Sequence, residues 1–421
     1  MNPRIDRLHP YPFERLAALT ADVVPPADLS RIALSIGEPR HPAPDFVVDA
    51  LTAPASMAAS LGTYPVTRGS EALREAIAAW ATRRFHLAPD MLTTQQVLPV
   101  NGTREALFAF AQAHLDGSTT GATVLMPNPF YQIYEGAALL AGAEPVYVPC
   151  PAETGFLPDL DAVPADAWER CELFYLCSPG NPSGAVYTTA DWARLLELAD
   201  RHDFVIAADE CYSELYLDEA TPPVGLLQAC AELGRTDCRR AVVFHSLSKR
   251  SNLPGLRSGF VAGDAELMAR FLRYRTYHGC AMPALVQDVS ALAWSDEAHV
   301  RANRELYRAK FDAVLGILGE HLDVRRPAGG FYLWPRTPVD EETFTRDLLA
   351  ATNVLVLPGS YLSRPGGLSR PGGLSRPGGP SRTATDGADD PGANHVRMAL
   401  VATLDECVEA AGRIRTFLER Y

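Results

Sequence analysis

The chain has 421 residues, 51 acidic against 38 basic, and a net charge of −13. The acidic excess argues against a nucleic-acid-binding surface, and the 47% hydrophobic content is that of a globular protein with room for two or three domains. No apolar run is long enough to span a bilayer, and the eight cysteines show neither C-x-x-C pairing nor metal-ligand spacing, so a cytoplasmic protein with reduced thiols and no metal is expected. H-E-x-x-H, Walker A and G-x-S-x-G motifs are absent, which removes the commonest zinc-protease, nucleotide-hydrolase and esterase signals.

In chain order, residues 1–48, with Pro10, Pro12, Pro25 and Pro26, read as an N-terminal arm and part of a small domain. From 49 to 290, short apolar runs alternate with helical patterns, the signature of a parallel sheet covered on both faces. The predicted strands are 96–100, 123–126, 145–148, 173–177, 204–208, 241–245 and 258–262. Between the first two, Leu107, Phe110, Ala111 and Leu115 fall on one face of an amphipathic helix. The fold expected is α/β: a mostly parallel seven-stranded sheet flanked by helices, plus a smaller α+β domain built from both chain ends. The pattern 297–318 reads as a connecting helix into the C-terminal domain, 291–421. There Leu362-Ser363-Arg364-Pro365-Gly366-Gly367 recurs at Leu368 and Leu374. One leucine per repeat cannot build a packed core, so 362–390 reads as a mobile surface loop.

Ligands gather at the carboxyl ends of strands in such sheets. Asn101-Gly102-Thr103-Arg104-Glu105 opens a helix after the first strand, and its N–H groups, threonine hydroxyl and glycine suit a phosphate, although a plain helix cap explains them too. Ser178-Pro179-Gly180-Asn181-Pro182-Ser183-Gly184 is a tight turn whose asparagine can reach a ring hydroxyl. Asp209, closing the most hydrophobic strand, needs a partner, either an arginine or a pyridinium nitrogen that it would keep protonated. Lys249 follows the next strand, with Ser246 and Arg257 near it as phosphate ligands. Only Lys249 and Lys310 are lysines among the 38 basic residues, and arginine cannot serve as an amine nucleophile. Lys310, on a helix expected to be exposed, reads as a chance survivor. A phosphate cradle, a hydroxyl ligand, an acid for a ring nitrogen and an amine for an aldehyde are together the four needs of pyridoxal 5′-phosphate.

The ordered set N-G-T-R-E-A-L, P-N-P-F-Y-x-x-Y, S-P-G-N-P-S-G, D-E-x-Y, S-L-S-K-R-x-x-L-P-G-L-R-x-G and R-M-A-L resembles class I/II aminotransferases of fold type I, from about Leu34 to the C-terminus. The resemblance implies pyridoxal 5′-phosphate as cofactor, Lys249 joined to its aldehyde, Asp209 on its ring nitrogen, Asn181 and Tyr212 on its ring hydroxyl, and Tyr131 stacked on the ring. Gly102, Thr103, Arg104, Ser246 and Arg257 would hold the phosphate. Arg397 would clamp the substrate α-carboxylate while Gly37 closes over it. Tyr64 looks like the residue such enzymes lend to the neighbouring subunit, which implies a homodimer with shared active sites acting on amino and 2-oxo acids.

His9-Pro10-Tyr11-Pro12-Phe13-Glu14-Arg15-Leu16, Ser35-Ile36-Gly37-Glu38-Pro39-Arg40-His41-Pro42 and the segment 127–136 are similar to bacterial succinyldiaminopimelate aminotransferases of lysine biosynthesis. That implies glutamate as donor and N-succinyl-2-amino-6-oxopimelate as acceptor, with Arg40, Arg68, Arg273 and Arg275 as candidate cations at the mouth. An aspartate, alanine or aromatic aminotransferase is the next reading. A β-lyase or decarboxylase shares every cofactor residue. A ligand-sensing regulator would need an N-terminal helix-turn-helix, and none is evident. Cis peptide bonds are expected at Asn128-Pro129 and Asn181-Pro182.

Overall fold

The computed structural model describes residues 1–118, 121–279, 281–366 and 390–420. A two-residue strand β1 (Ile32–Ala33) precedes seven strands that form one sheet: β2 (Val97–Val100), β3 (Thr123–Asn128), β4 (Glu144–Pro149), β5 (Cys171–Cys177), β6 (Val205–Asp209), β7 (Ala241–Ser246) and β8 (Gly259–Gly263). All seven coincide with predicted strands, with bounds displaced by at most two residues at either end. Their order is β2-β8-β7-β6-β5-β3-β4, and only β8 runs antiparallel to its neighbours.

Successive side chains in a strand point to opposite faces, so each inner strand feeds two cores. Leu125, Phe174, Ile206 and Val243 pack with Trp80 on one face, whereas Val124, Tyr175, Ala207 and Val242 pack with Phe110 on the other. Both faces being covered, the strands read as continuous apolar runs rather than alternating ones. The carboxyl ends of β2, β3, β5, β6 and β7 all reach the same edge of the sheet, which gathers Gly102, Asn128, Asn181, Asp209 and Lys249 on one side of the molecule.

A second core lies around the helix Ala298–Leu318 and the C-terminal strands β9 (Tyr332–Leu333), β10 (Val354–Leu355), β11 (Leu357–Pro358) and β12 (Val396–Ala399). Ile32 pairs with Val354 in parallel, so the early chain is built into this layer, where Phe311, Phe344, Val356, Met398 and Ile414 form the interior. No helix among the described residues is long and apolar enough to cross a membrane.

The repeat segment expected over 362–390 is described only at its two ends, 367–389 lying outside the described residues. Its entry is docked rather than free. Leu362 and Ser363 are buried, Arg364 pairs with the buried Glu135 at 2.6 Å, and the Arg364 backbone N–H donates to Asn128 Oδ1 at 3.0 Å. Ser363 Oγ also hydrogen-bonds Asp390, joining the two described ends of the segment.

Candidate active site

Gly102 opens the helix Thr103–His114 with φ +86, a left-handed conformation open to glycine at little cost. A side chain there would also collide with the Arg257 guanidinium, which therefore lies directly over the helix start. Arg257 itself is held in the left-handed region, φ 52, with Nη1 donating to Pro254 O at 2.8 Å. Ser246 caps the short helix Leu247–Arg250 by accepting from Ser248 N at 3.0 Å. Thr103 Oγ1 is 3.0 Å from Cys211 Sγ. Gly102, Thr103, Ser246 and Arg257 thus form one cradle of donors and positive charge. Arg104 departs from it: its Nε donates to Tyr131 OH at 2.9 Å, so the guanidinium serves the tyrosine and only its backbone stays at the helix start.

Below the cradle, Asp209 is 4% exposed and accepts from Tyr134 OH at 2.7 Å and from Cys211 N at 3.3 Å. Burial raises its pKa, and the Cys211 and Tyr134 donors only partly oppose that. Such a carboxylate is poised for a cation, and no arginine fills that place among the described residues. Tyr134, a residue the sequence reading did not include, ends the P-N-P-F-Y-x-x-Y motif on the helix Gln132–Ala141, which Tyr131 immediately precedes.

Lys249 Nζ donates to Gly37 O at 2.6 Å and lies 5.4 Å from the centre of the Phe331 ring. Burial pushes its pKa down to about 8, so near neutrality a useful fraction is the free amine. Gly37 is pressed against Tyr332, where any side chain would clash with the phenol. Tyr332 OH bonds Tyr212 OH at 3.0 Å, and the Arg397 guanidinium lies 4.5 Å over the Tyr332 ring. Tyr332, like Phe331, was invisible in the sequence, because a buried aromatic in a short strand gives the same signal as core.

Arg397 is 4% exposed; Nη1 donates to Asn181 Oδ1 at 3.0 Å, Nη2 to Ser35 O at 2.8 Å, and Nε has no partner among the described residues. A buried guanidinium with an unused donor and no carboxylate in contact is arranged for an anionic ligand. Asn128-Pro129 and Asn181-Pro182 are both cis, and so is Ser178-Pro179, which was not expected. Tyr64 is fully exposed and touches none of these residues.

Two expectations are overturned. Arg275 is no mouth cation: it is buried and donates to both oxygens of Glu105 at 2.9 and 2.8 Å. Lys310 is no exposed survivor: it is 2% exposed, with Nζ 2.6 Å from His41 Nε2. Of the other mouth candidates, Arg68 bonds Gln95, Arg40 acts on Glu406 and Cys407, and Arg273 is exposed on the helix Ala265–His278.

The sequence profile of the family described as Aminotransferase class I and II matches residues 30–369. An LL-diaminopimelate aminotransferase of Maridesulfovibrio salexigens is 30% identical over 98% of this chain and 97% of its own length. An aminotransferase from Neisseria meningitidis Z2491 superposes with a TM-score of 0.90 at 43% identity, covering all of both chains. Another, from Helicobacter pylori 26695, gives 0.84 at 33% identity over 98% of this chain and all of its own.

Proposed function

This chain belongs to the class I and II aminotransferases, and from that premise we propose that it moves the amino group of glutamate to N-succinyl-2-amino-6-oxopimelate. The family depends on pyridoxal 5′-phosphate, which when bound supplies an aldehyde and an electron sink for the substrate Cα–H bond. The residues fit that group: a buried carboxylate with no arginine beside it among the described residues, an amine with its pKa depressed, and a cradle in which glycine alone leaves room for Arg257.

In this reading Asp209 would pair with the ring nitrogen and keep it protonated, while Asn181 and Tyr212 would bond the ring hydroxyl. Gly102, Thr103, Ser246, Arg257 and the Arg104 backbone would hold the phosphate. Tyr131, steadied by Arg104, would stack on the ring. Arg397 takes the substrate α-carboxylate with two parallel N–H bonds, exchanging Ser35 O or Asn181 for it, and the Gly37 backbone closes over it. Lys249, neutral at Nζ, accepts the proton from the substrate Cα and later returns it. Tyr64 reaches the second site of a homodimer; its full exposure supports that role.

The observation that carries the substrate is the place of the N-terminal motif. Tyr11 lies near Arg104, Tyr131 and Tyr332, and Arg15 Nη1 donates to Ser360 O at 3.4 Å, which supports the His9–Leu16 segment as a border of the site. A second reading, LL-diaminopimelate itself, is favoured by the similarity to the M. salexigens LL-diaminopimelate aminotransferase. The two differ in chemistry at the distal nitrogen, an ammonium in one and a succinylated amide in the other. Offering single amino acids to the holoenzyme and following the cofactor absorbance separates them. Conversion by glutamate and N-succinyl-LL-2,6-diaminopimelate is expected. Faster conversion by free LL-diaminopimelate, or by aspartate, alanine or phenylalanine alone, would replace the proposed substrate.

A further inference from the structure

The two lysines of the chain are joined by one directed run of hydrogen bonds. Asn303 Nδ2 donates to the backbone carbonyls of Lys249 and Arg250, at 3.3 Å each, so its Oδ1 is the accepting end. That oxygen takes Asn252 Nδ2 at 2.9 Å and His41 Nδ1 at 2.7 Å. The neutral His41 ring then has a bare Nε2, and Lys310 Nζ, 2.6 Å away, is its donor. Lys310 also reaches Val401 O at 3.5 Å, just beyond the end of β12, the strand that carries Arg397.

His41 is four residues from Gly37, whose carbonyl receives the Lys249 amine. Both ends of Lys249 are therefore tied to one loop: Nζ directly through Gly37, and the backbone through Asn303 and His41. The aromatic packing runs the same way. His41 lies 4.5 Å from the Tyr307 ring, Tyr307 stacks on Phe331 at 5.5 Å, and Phe331 underlies Lys249 Nζ.

We propose that Lys310 and His41 are positioning residues, which hold the Gly37 loop in register with the Lys249 amine and with the Arg397 strand. A lysine suits the place because its compact ammonium can turn separate N–H donors to His41 Nε2 and Val401 O, whereas a guanidinium presents a wide planar fork. This gives a physical reason why one of only two lysines in a chain with 36 arginines is kept here.

The chain carries one proton between Lys310 Nζ and His41 Nε2. A second proton sets two cations 2.6 Å apart and breaks the tie. Burial, aided by the Lys310 charge, outweighs the Asn303 hydrogen bond and holds the His41 pKa below its ordinary value, so the tie persists below pH 6.5. The other groups facing this pair are the Tyr307 phenol on the same helix, Cys407 and Glu406 on the helix Leu404–Leu418, and Arg40 on the loop itself. Burial lowers the Lys310 pKa to about 8, and Cys407 and Glu406 only partly oppose that, so below that pH the lysine is charged and His41 stays the acceptor.

The inference rests on Lys249 as the reactive amine and not on which oxo acid is used. Hydrogen–deuterium exchange of the 34–42 peptide in the holoenzyme tests it, alongside kcat and KM. Lys310→Met, nearly isosteric, should speed exchange of that peptide roughly tenfold or more and lower kcat by a similar factor, while Lys310→Arg, which keeps the charge but not the compact shape, should restore only part of either. Wild-type protection, corrected for intrinsic rate, should also fall in acid, and His41→Gln should remove that fall while keeping protection at pH 8. Unchanged exchange in Lys310→Met, or the same acid profile in wild type and His41→Gln, would overturn the proposal. Because exchange is read without turnover, failure of the reactive-amine assignment leaves the test of the loop intact.

Discussion

The ε-amine of Lys249 donates to the carbonyl of Gly37 at 2.6 Å, joining the end of the central sheet to a loop 212 positions earlier in the chain. The carbonyl is neutral, so it satisfies one N–H without compensating the charge. That geometry is why burial prevails and the pKa comes down to about 8.

A stability prediction follows for cofactor-free protein. Below pH 8 the folded and unfolded chains both carry the Lys249 proton, and the burial penalty is full. Between pH 8 and the unfolded value of 10.5 only the unfolded chain keeps it, so this group makes stability rise with pH across that window. Lys249→Met should therefore stabilise the cofactor-free fold by about 3 kcal/mol at pH 7, with the difference fading by pH 10, as measured by urea unfolding at both pH values. The same variant should lose roughly 10,000-fold in turnover once cofactor is added, because the proton-transfer group is gone.

Tyr134 OH donates to Asp209 at 2.7 Å inside the core. Tyr134→Phe removes a hydrogen bond to a buried carboxylate, and such bonds contribute about 1.5 to 3 kcal/mol. Cofactor titration should show roughly 10- to 100-fold weaker binding, and Asp209→Ala should be worse still. Equal affinity in Tyr134→Phe would mean the phenol has no hold on the carboxylate.

Arg397 meets Asn181, Ser35 and the Tyr332 face at once. Lysine keeps the charge and loses the planar fork, so Arg397→Lys should raise KM for glutamate by roughly 100-fold with a smaller effect on cofactor binding. Steady-state kinetics with glutamate decide it; an unaltered KM removes Arg397 from the carboxylate site.

Arg364, at the start of the repeated hexapeptide, pairs with Glu135, and Tyr147 OH also donates to that carboxylate, at 2.5 Å. Removing the arginine strands a buried carboxylate, with His9 at 3.9 Å as the next basic group. Arg364→Ala should cost about 3 kcal/mol or more in urea unfolding, whereas truncation of an exposed arginine such as Arg273 should cost well under 1 kcal/mol.

Periodicity and strand-end chemistry were local properties, and the chain alone determined them. Seven apolar runs bounded by turn residues pointed to the strands of a sheet covered on both sides, and in its parallel strands the polar residues just past the carboxyl ends meet at one edge. Lys249, Asp209, Asn181 and Gly102 were legible for that reason. The order of the strands, the turning of Arg104 toward Tyr131 and the burial of Arg275 and Lys310 were decided only by tertiary packing. A helix pattern marks an apolar face but not which cations a neighbouring layer will cover, and Lys310 is buried because β12 and the Gly37 loop, from distant parts of the chain, close over it. The roles of Tyr332 and Asn303 lie in what the fold places beside them, and composition and spacing carry no trace of that, whereas Tyr134 could have been read from its place at the end of P-N-P-F-Y-x-x-Y.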